Sequence, residues 1–335
     1  MISVITPCFN ASDSVARAIR SIQAQTLTDW ELIVIDDGST DDSADIVEQF
    51  ARKDARIRLI RRGHHGVVAS SNYGLSIARG DLIARMDADD VSRPDRLQLQ
   101  ARALIDDKTL GAVSCLVHFT GNPQQAQGYA YHVAWANRCI SSQEIAFNRF
   151  IDLPVPHPSL MFRRSVIEKW GAYRDGAFPE DYEMILRWIS HGVKIGKIRE
   201  TLFDWHDPPS RLSRNDRRYD MAAFHACKAP YLTQAISESG CDHRELWVIG
   251  AGRPARKSAE TLERAWKKAS GFVDIDPKKI GRSLHGRPVV SIHDLPQIEQ
   301  AVLVSYVGTR GASDLIRKQL IAAGRSEGRD FWIAC

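Results

Sequence analysis

The sequence lacks the features that would assign it to several common classes of protein. No apolar run approaches the ~18 to 20 residues that a membrane-spanning helix requires. The start, MISVITPCFN, has no basic segment followed by an apolar stretch, so no secretory signal is predicted. The six cysteines are scattered without a C-x-x-C spacing, which is typical of reduced thiols rather than of disulfides or a zinc site. We therefore expect a cytoplasmic protein.

Charge and length narrow the choice further. The 335 residues carry a net charge of +4, which is too small to indicate nucleic-acid binding by itself. The length favours two domains over one. We expect residues 1–210 to form the first domain, 211–243 a helical linker, and 244–335 a second, small domain.

Short apolar runs alternate with helical patterns over the first ninety residues. The runs ISVIT, ELIVID, IRLIRR and DLIARMD are predicted strands, and segments with apolar residues at helical spacing separate them. This alternation is typical of an α/β fold with a mostly parallel sheet flanked by helices. In such sheets ligands bind beyond the carboxyl ends of the strands.

Two pairs of acids lie at this predicted edge of the sheet. Asp36 and Asp37 close the second strand, and Asp87 and Asp89 close the fourth. Residues two apart on an extended chain share a face, so Asp87 and Asp89 point the same way, whereas we expect Asp90 to cap the next turn. Turn capping would explain one pair, but two pairs at one edge favour a functional site.

The kind of ligand follows from what the first turn lacks. The segment TPCFNASDS follows the first strand in place of a G-x-G-x-x-G turn, and the chain has no P-loop. Without either backbone cradle, the remaining way to hold a diphosphate at carboxylates is a hard divalent cation, Mn²⁺ or Mg²⁺.

Four motifs together resemble one family. VITPCFN, ELIVIDDGSTDDS, ARGDLIARMDADD and PEDYEMILRW are similar, in order and spacing, to the family 2 glycosyltransferases of the GT-A fold. The resemblance implies transfer of a sugar, with inversion, from a nucleoside diphosphate sugar to an acceptor hydroxyl, most commonly in bacterial polysaccharide assembly. It implies that the donor is bound by Thr6, Phe9, Asp36, Asp37, Asp87 and Arg211, and that Asp89 and His206 bind the metal.

The motif PEDYEMILRWISHG predicts a helix that carries a catalytic acid. Its apolar stripe includes the position of Asp181, whereas Glu183 and Arg187 are expected to pair on the solvent side. Burial would raise the pKa of Asp181, which suits a general base. The resemblance implies that role for Asp181, with Glu180 as a supporting or acceptor-binding group; a helix-dipole role alone would explain Glu180 but not Asp181.

The C-terminal segment predicts a second α/β unit. ELWVIGAGRPARKSAETL is a strand, a glycine turn and a helix, in which Gly250 and Gly252 have G-x-G spacing. The unit is Rossmann-like and resembles the nucleotide-sugar-binding domain at the front of some sugar acetyltransferases. A docking or dimerisation module, in which the glycine turn serves only helix packing, is the alternative that we favour.

Two other functions stay open at this point. One is a nicotinamide-dependent oxidoreductase centred on the C-terminal glycine turn, and the other is a non-catalytic sugar-nucleotide-binding protein. The partners of the leading hypothesis are a nucleoside diphosphate sugar and a saccharide or other hydroxyl acceptor, with no nucleic acid. The predicted lack of a transmembrane segment is compatible with a peripheral membrane contact.

Overall fold

The computed structural model describes residues 1–208 and 211–335, which divide into two units. Unit 1 comprises residues 1–145, 154–176 and 180–216, and unit 2 comprises residues 146–153, 177–179 and 217–335. Most of the segment 211–243, predicted as a linker, is therefore counted with unit 2.

Unit 1 is built on one sheet with helices between its strands. The strands are β1 (Ile2–Cys8), β2 (Trp30–Asp36), β3 (Ile57–Arg61), β4 (Leu82–Arg85), β5 (Val91–Ser92), β6 (Leu110–Phe119), β7 (Met161–Arg163) and β8 (Lys194–Trp205). The helices are α1 (Val15–Gln23), α2 (Ser43–Ala51), α3 (Val67–Ile77), α4 (Arg96–Asp106), α5 (Gln127–Ala136), α6 (Ser142–Asn148, which crosses a unit boundary), α7 (Arg164–Trp170), α8 (Glu180–Ser190) and α9 (Leu212–Asn215).

The strand order in this sheet is β3-β2-β1-β4-β7-β6-β8-β5. Strands β1 to β4 run parallel to their neighbours among themselves, while β7 is antiparallel to both β4 and β6. The prediction of an α/β fold with a mostly parallel sheet is confirmed. Antiparallel β7 marks the limit of the parallel half that the first ninety residues form.

Hydrophobic periodicity explains how α1 packs on this sheet. Val15, Ile19 and Ile22 recur at helical spacing and are buried, and they join Val4 and Leu32 of β1 and β2 in one core cluster. All seven residues of β2 are buried, as expected for a central strand of a parallel sheet covered on both faces. This packing fixes where β1 and β2 end.

Unit 2 has a sheet of its own in the order β11-β12-β10-β9-β13-β14. All of its strand pairs are parallel except that between β11 and β12. The strands are β9 (Glu245–Ile249), β10 (Gly271–Asp274), β11 (Ser283–Leu284), β12 (Arg287–Ser291), β13 (Ala301–Ser305) and β14 (Phe331–Ile333), and the helices are α10 (Met221–Glu238), α11 (Arg253–Ala265) and α12 (Ala312–Ala322).

Helix α10 is an 18-residue helix and therefore has the length at which membrane insertion becomes a question. It is only weakly apolar, and its buried positions include His225 and Lys228. Within residues 1–208 and 211–335, no helix combines the length and hydrophobicity needed to cross a bilayer.

Candidate active site

The carboxyl ends of β1, β2 and β4 meet at one edge of the sheet in unit 1. β1 and β2 pair Cys8 with Asp36, while β1 and β4 pair Ile5 with Arg85. Because these strands are parallel, the acids that follow β2 and β4 reach the same edge, which is where ligands bind in α/β sheets. This edge frames the candidate site.

Three carboxylates form a cluster directly after β4. Asp87, Asp89 and Asp90 each offer an oxygen atom, and these atoms lie within 4.8 Å of one another. The expectation that Asp90 points elsewhere was wrong. Its Oδ1 accepts a hydrogen bond from the main-chain N–H of His206 at 2.8 Å, while its Oδ2 is buried and has no hydrogen-bond partner in the described part of the chain.

The cluster is electrostatically strained as it stands. Burial and the neighbouring charge of Asp87 raise the pKa of Asp89 to about 6. Burial and the charges of Asp89 and Asp87 raise the pKa of Asp90 well above its usual value. Burial is the strongest single influence on Asp87, but the charge and hydrogen bond of Arg85, together with the other positive groups nearby, including Arg211, lower the pKa of that carboxyl. Like charges held this close call for a counter-charge.

The three carboxylates fit a hard divalent cation. Such ions prefer oxygen ligands, and the buried, unpartnered Oδ2 of Asp90 is an acceptor whose burial is costly unless something binds it. Asp87 and Asp89, which the sequence predicts to share a face, both belong to the cluster. The structure thus brings Asp89, the predicted metal ligand, together with two further acids.

His206 is placed differently from its predicted role as a metal ligand. Its main-chain N–H binds Asp90, but its side chain is not part of the carboxylate cluster. The Nδ1 atom of His206 is buried without a hydrogen-bond partner among the described residues. His206 therefore contributes to the cluster through its backbone in this structure.

Arg211 lies where its charge acts on the same cluster. Its guanidinium stacks over the ring of Trp205 at 3.9 Å and donates a hydrogen bond to the carbonyl of His206 at 2.9 Å. Its positive charge is one of the influences that favour the ionised forms of Asp87 and Asp89. The contact of Arg211 with the donor stays a prediction.

An exposed aromatic ring and a buried acid lie at the ends of β1 and β2. Phe9 is 46% exposed, and its ring centroid is 4.3 Å from that of His64. Asp36 is 4% exposed, and its Oδ1 has no hydrogen-bond partner among the described residues. A ring open for stacking beside an unpaired acceptor is suited to a planar ligand that bears N–H groups.

Asp37 was predicted to contact the donor, and the structure gives it a structural role as well. Its two carboxylate oxygens accept hydrogen bonds from the N–H groups of His65 and Gly66 and from the hydroxyl of Ser70. His64 lies at 2.9 Å from the same carboxylate. Asp37 thus fixes the loop before α3, and its acceptor capacity is largely used within the protein.

Thr6 was predicted to bind the donor, but the structure places it in the core. It is 3% exposed and lines a small internal space together with Val15, Leu32 and Met86. Its hydroxyl oxygen is buried without a hydrogen-bond partner in the described ranges. Period-two alternation could not reveal this burial, because β1 is buried on both of its faces. The contact of Thr6 with the donor stays a prediction.

Asp181 and Glu180 open helix α8. Burial raises the pKa of Asp181 to about 7, with the charge of Glu180 as the next contribution. One of its oxygens accepts a hydrogen bond from the N–H of Tyr182 at 2.7 Å. Glu180 is itself buried at 6% exposure. The predicted raised pKa of Asp181 agrees with the structure. Its side chain, however, is only partly buried, whereas Glu180, Tyr182 and Glu183 are buried.

The prediction that Glu183 and Arg187 pair on the solvent side was wrong about their exposure. The two residues do form an ion pair at 3.0 Å, but they are 4% and 2% exposed. Arg187 also donates to the main-chain carbonyls of Trp170, Gly171 and Ala172. Those carbonyls are distant in sequence, so helical spacing alone could not reveal that this face of α8 is covered.

Arg85 and His157 make polar contacts that the sequence did not predict. Arg85 contacts Asp87 at 2.5 Å, and His157 Nε2 lies 2.7 Å from the hydroxyl of Tyr173. Tyr173 in turn exchanges two backbone hydrogen bonds with the side chain of Asn72. The sequence held one indication of these contacts: Arg85, the last residue of β4, is an arginine in an otherwise apolar strand.

The glycine turn of unit 2 is explained by packing. Gly250 has φ of +108°, and a Cβ atom there would lie 2.7 Å from the Cβ of Ala255. Asp274, at the end of β10, accepts hydrogen bonds from the N–H groups of Ala251 and Asp276 and pairs with Lys279 at 3.2 Å. This geometry gives no support to the oxidoreductase alternative. The resemblance to acetyltransferase domains stays a prediction.

Comparison with known proteins places these features in a wider context. A family model described as glycosyl transferase family 2 matches residues 3–171, about half of the chain. The chondroitin synthase of Pasteurella multocida is 30% identical over 113 residues, which cover 34% of this chain and 12% of that protein. The chain spans less than two thirds of the length of the first curated relatives that it matches.

Solved structures show the same fold at low sequence identity. TarS 1-349 of S. aureus, in complex with UDP-GlcNAc, has a TM-score of 0.54 at 16% identity and covers 79% of this chain and 71% of its own. The mannosyltransferase PcManGT of Pyrobaculum calidifontis, in complex with GDP-Man and Mn²⁺, has a TM-score of 0.50 at 19% identity and covers 79% and 72%.

Proposed function

The chain belongs to glycosyl transferase family 2, and from that membership we propose that it catalyses the metal-dependent, inverting transfer of a sugar from a nucleoside diphosphate sugar to an acceptor hydroxyl. The proposal rests on one observation: the same unit has an acidic cluster after β4 and a carboxylate of raised pKa at the start of α8. The first suits a cation bound to a diphosphate, and the second suits a base that acts on a hydroxyl.

On the donor side, Asp87, Asp89 and Asp90 would hold Mn²⁺ or Mg²⁺. When bound, such an ion supplies positive charge to the oxygens of the leaving diphosphate. Arg211 adds a second positive charge from its place on the ring of Trp205. Together they would offset the repulsion between the acidic cluster and an anionic donor.

The base of the nucleotide would bind at the ends of β1 and β2. The exposed ring of Phe9 offers a stacking surface, and Asp36 Oδ1 offers an acceptor for an N–H group of the base. Asp37 supports this site indirectly, because its carboxylate fixes the loop that carries His64 next to Phe9.

The chemical step uses Asp181 as the general base. Its carboxylate takes the proton of the acceptor hydroxyl, and the hydroxyl oxygen forms a bond to the anomeric carbon of the donor sugar. The bond from that carbon to the diphosphate oxygen breaks on the opposite face, and its electron pair leaves with the nucleoside diphosphate. A single displacement of this kind inverts the anomeric configuration.

The environment of Asp181 suits this role. A base of pKa about 7 is largely ionised at slightly alkaline pH, and it holds a proton better than an ordinary aspartate. Glu180 contributes to the raised pKa through its negative charge. We assign Glu180 a supporting or acceptor-binding role.

The biological setting follows from the named relatives as part of the same proposal. Chondroitin synthase makes a polysaccharide, and the two solved structures contain UDP-GlcNAc or GDP-Man. We propose that this chain uses a UDP- or GDP-linked sugar, acts on a saccharide or other hydroxyl acceptor in bacterial glycan assembly, and works in the cytoplasm.

The test is to incubate the protein with Mn²⁺ and either UDP-GlcNAc or GDP-mannose, and to follow release of UDP or GDP. Water serves as a poor acceptor, and a mixture of mono- and oligosaccharides supplies better ones. We expect release with one nucleotide class, its loss when EDTA is added, and a product with inverted anomeric configuration by NMR.

A matched control keeps this test specific. Asp106→Asn changes an exposed aspartate that pairs with exposed Arg102, and it should behave like the wild type. Asp89→Asn should lose release with both donors. Release that ignores EDTA and Asp89, or no binding and no release with any UDP- or GDP-sugar, would overturn the proposed function.

A further inference from the structure

A buried arginine precedes the acidic cluster in the sequence. Arg85 is the last residue of β4 and is 4% exposed. Its N–H binds the carbonyl of Leu160 at 2.8 Å, and its own carbonyl accepts from the guanidinium of Arg96 at 2.7 Å. A buried charge is costly unless it is paired, so the presence of this guanidinium requires an explanation.

The guanidinium of Arg85 is directed toward the donor side. Its Nη2 donates to Asp87 Oδ1 at 2.5 Å, and its Nη1 donates to the carbonyl of Met86. Its Nε is buried without a hydrogen-bond partner in the described part of the chain. Arg85 therefore holds one carboxylate of the acidic cluster, in a geometry that the adjacent backbone fixes.

The same positive charge acts on the acceptor side. Arg85 is one of the charges that favour the ionised form of Asp181, against the effects of burial and of Glu180. It also helps to keep His157 neutral, since burial and Arg85 lower the pKa of His157 to about 3. Neutral His157 lies 2.7 Å from the hydroxyl of Tyr173, which is also buried.

A purely structural role does not account for this arrangement. Arg96, which is likewise buried, places its guanidinium against carbonyl oxygens and the side chains of Ser92 and Gln100, and so ties together separate segments. Within the described residues, the guanidinium of Arg85 instead donates to Met86 and Asp87, which lie within two positions of it. Such bonds connect no distant parts of the fold, but they do orient Asp87.

We propose that Arg85 is a positioning residue of the transfer reaction, whose buried guanidinium fixes the Asp87 carboxylate and supplies a permanent positive charge that acts on the donor-binding acids and on the base Asp181. The inference rests on the proposed function. It implies that an anionic donor approaches a cluster already partly neutralised by the protein.

The experiment compares Arg85→Met and Arg85→Lys with Asp87→Asn and with the double variant Arg85→Met/Asp87→Asn. Each protein is titrated calorimetrically with UDP in the presence of Mn²⁺, and release of UDP from UDP-GlcNAc gives kcat and KM. GDP and GDP-mannose replace them if the wild type prefers that nucleotide. Arg93→Met, which breaks a part-exposed pair with Asp204, is the control.

We expect Arg85→Met to lower kcat/KM by about 10²-fold or more and to weaken binding of UDP with Mn²⁺. Arg85→Lys should recover at least about tenfold of that loss, because it keeps the charge. The double variant should be little worse than Asp87→Asn alone, because the two side chains act as one unit. Arg93→Met should match the wild type.

Three results would overturn the inference. One is Arg85→Met behaving like Arg93→Met, a second is full additivity of Arg85→Met and Asp87→Asn, and a third is equal loss in Arg85→Lys and Arg85→Met. If Arg85→Met does not fold, Arg85→Lys decides the matter through its UDP affinity and its kcat. A wild type that neither binds nor turns over any tested nucleotide sugar overturns the proposed function, and the inference with it.

Discussion

The two units each carry acids at the carboxyl edge of a parallel sheet, but the acids are used differently. In unit 1, Asp36 and Asp90 each have a buried oxygen without a hydrogen-bond partner among the described residues. In unit 2, Asp274 accepts two main-chain hydrogen bonds and pairs with Lys279. An acid whose hydrogen bonds are all made within its own loop serves to stabilise a turn. Acids that repel one another and have unpartnered oxygens indicate a binding site for a ligand.

The pKa directions express the same contrast. Burial and like charges raise the pKa of Asp89 and Asp90 in unit 1. Although burial opposes it, hydrogen bonding from Asp276 and Ala251 lowers the pKa of Asp274 in unit 2. The acids of unit 1 therefore form an unfavourable cluster of charge, which is typical of a functional site, whereas the charges around Asp274 in unit 2 are favourably paired.

The largest effect should come from removing the base. Asp181→Asn should lower kcat for nucleoside diphosphate release by about 10²- to 10⁴-fold, because asparagine cannot take the proton of the acceptor. Its affinity for UDP with Mn²⁺ should change little. Asp274→Asn, the same substitution at the edge of unit 2, should leave kcat unchanged. Similar losses in both variants would remove the distinction between the two edges.

The second-largest effect should be the dependence of kcat on pH. Asp181 acts only when ionised, and burial raises its pKa to about 7. As pH falls below that value the base becomes protonated, so kcat should fall by about tenfold per pH unit and level off above it. Measurement of kcat from about pH 5 to about pH 9 checks this. A flat profile, or activity that rises as pH falls, would contradict the assignment.

Exposed apolar residues at the two edges offer a further comparison. Phe9→Ala should weaken UDP binding by about 1 to 3 kcal/mol, because the base loses its stacking surface. Ile275→Ala removes an exposed side chain that follows β10 in unit 2 and should have no effect on binding. Calorimetric titration of both variants with UDP and Mn²⁺ measures the difference. An unchanged Kd for Phe9→Ala would place the base elsewhere.

The smallest effects should be opposite changes in stability. The folded-state pKa of Asp90 is raised, so its charge destabilises the fold above its unfolded pKa, and Asp90→Asn should increase the free energy of unfolding by about 1 kcal/mol at neutral pH. The folded-state pKa of Asp274 is lowered, so its charge stabilises the fold, and Asp274→Asn should cost about 1 kcal/mol.

Denaturant unfolding in EDTA checks both signs, since the chelator removes any stabilisation by a divalent ion. Asp106→Asn, at an exposed position, is the reference and should change the free energy of unfolding very little. A loss of stability in Asp90→Asn would mean that its carboxylate is satisfied within the protein, contrary to its unpartnered Oδ2.

Local patterns were sufficient to predict much of this molecule. Alternating strands and helices placed acids at the ends of β2 and β4, because the periods of helices and strands are properties of the chain itself. The burial of single side chains was harder to predict. Strand β1 is buried on both faces, and on α8 Glu183 and Arg187 are buried more deeply than Asp181.

The remaining features depend on partners that are distant in sequence. Asp90 is oriented by the N–H of His206, and Asp37 is occupied by Ser70 and by the loop before it. Arg187 is buried by carbonyls that precede α8 by many residues. No short-range pattern encodes such contacts, so their effect on each side chain becomes visible only in the folded structure.

The proposed function requires that the acids of unit 1, and not those of unit 2, bind a divalent ion together with a nucleoside diphosphate. Calorimetric titration of Mn²⁺ in the presence of UDP, and separately of GDP, tests it on the wild type, Asp90→Asn and Asp274→Asn. The account predicts the same Kd for the wild type and Asp274→Asn, and a Kd at least about tenfold weaker for Asp90→Asn. Equal binding by all three proteins, or a loss confined to Asp274→Asn, would contradict it.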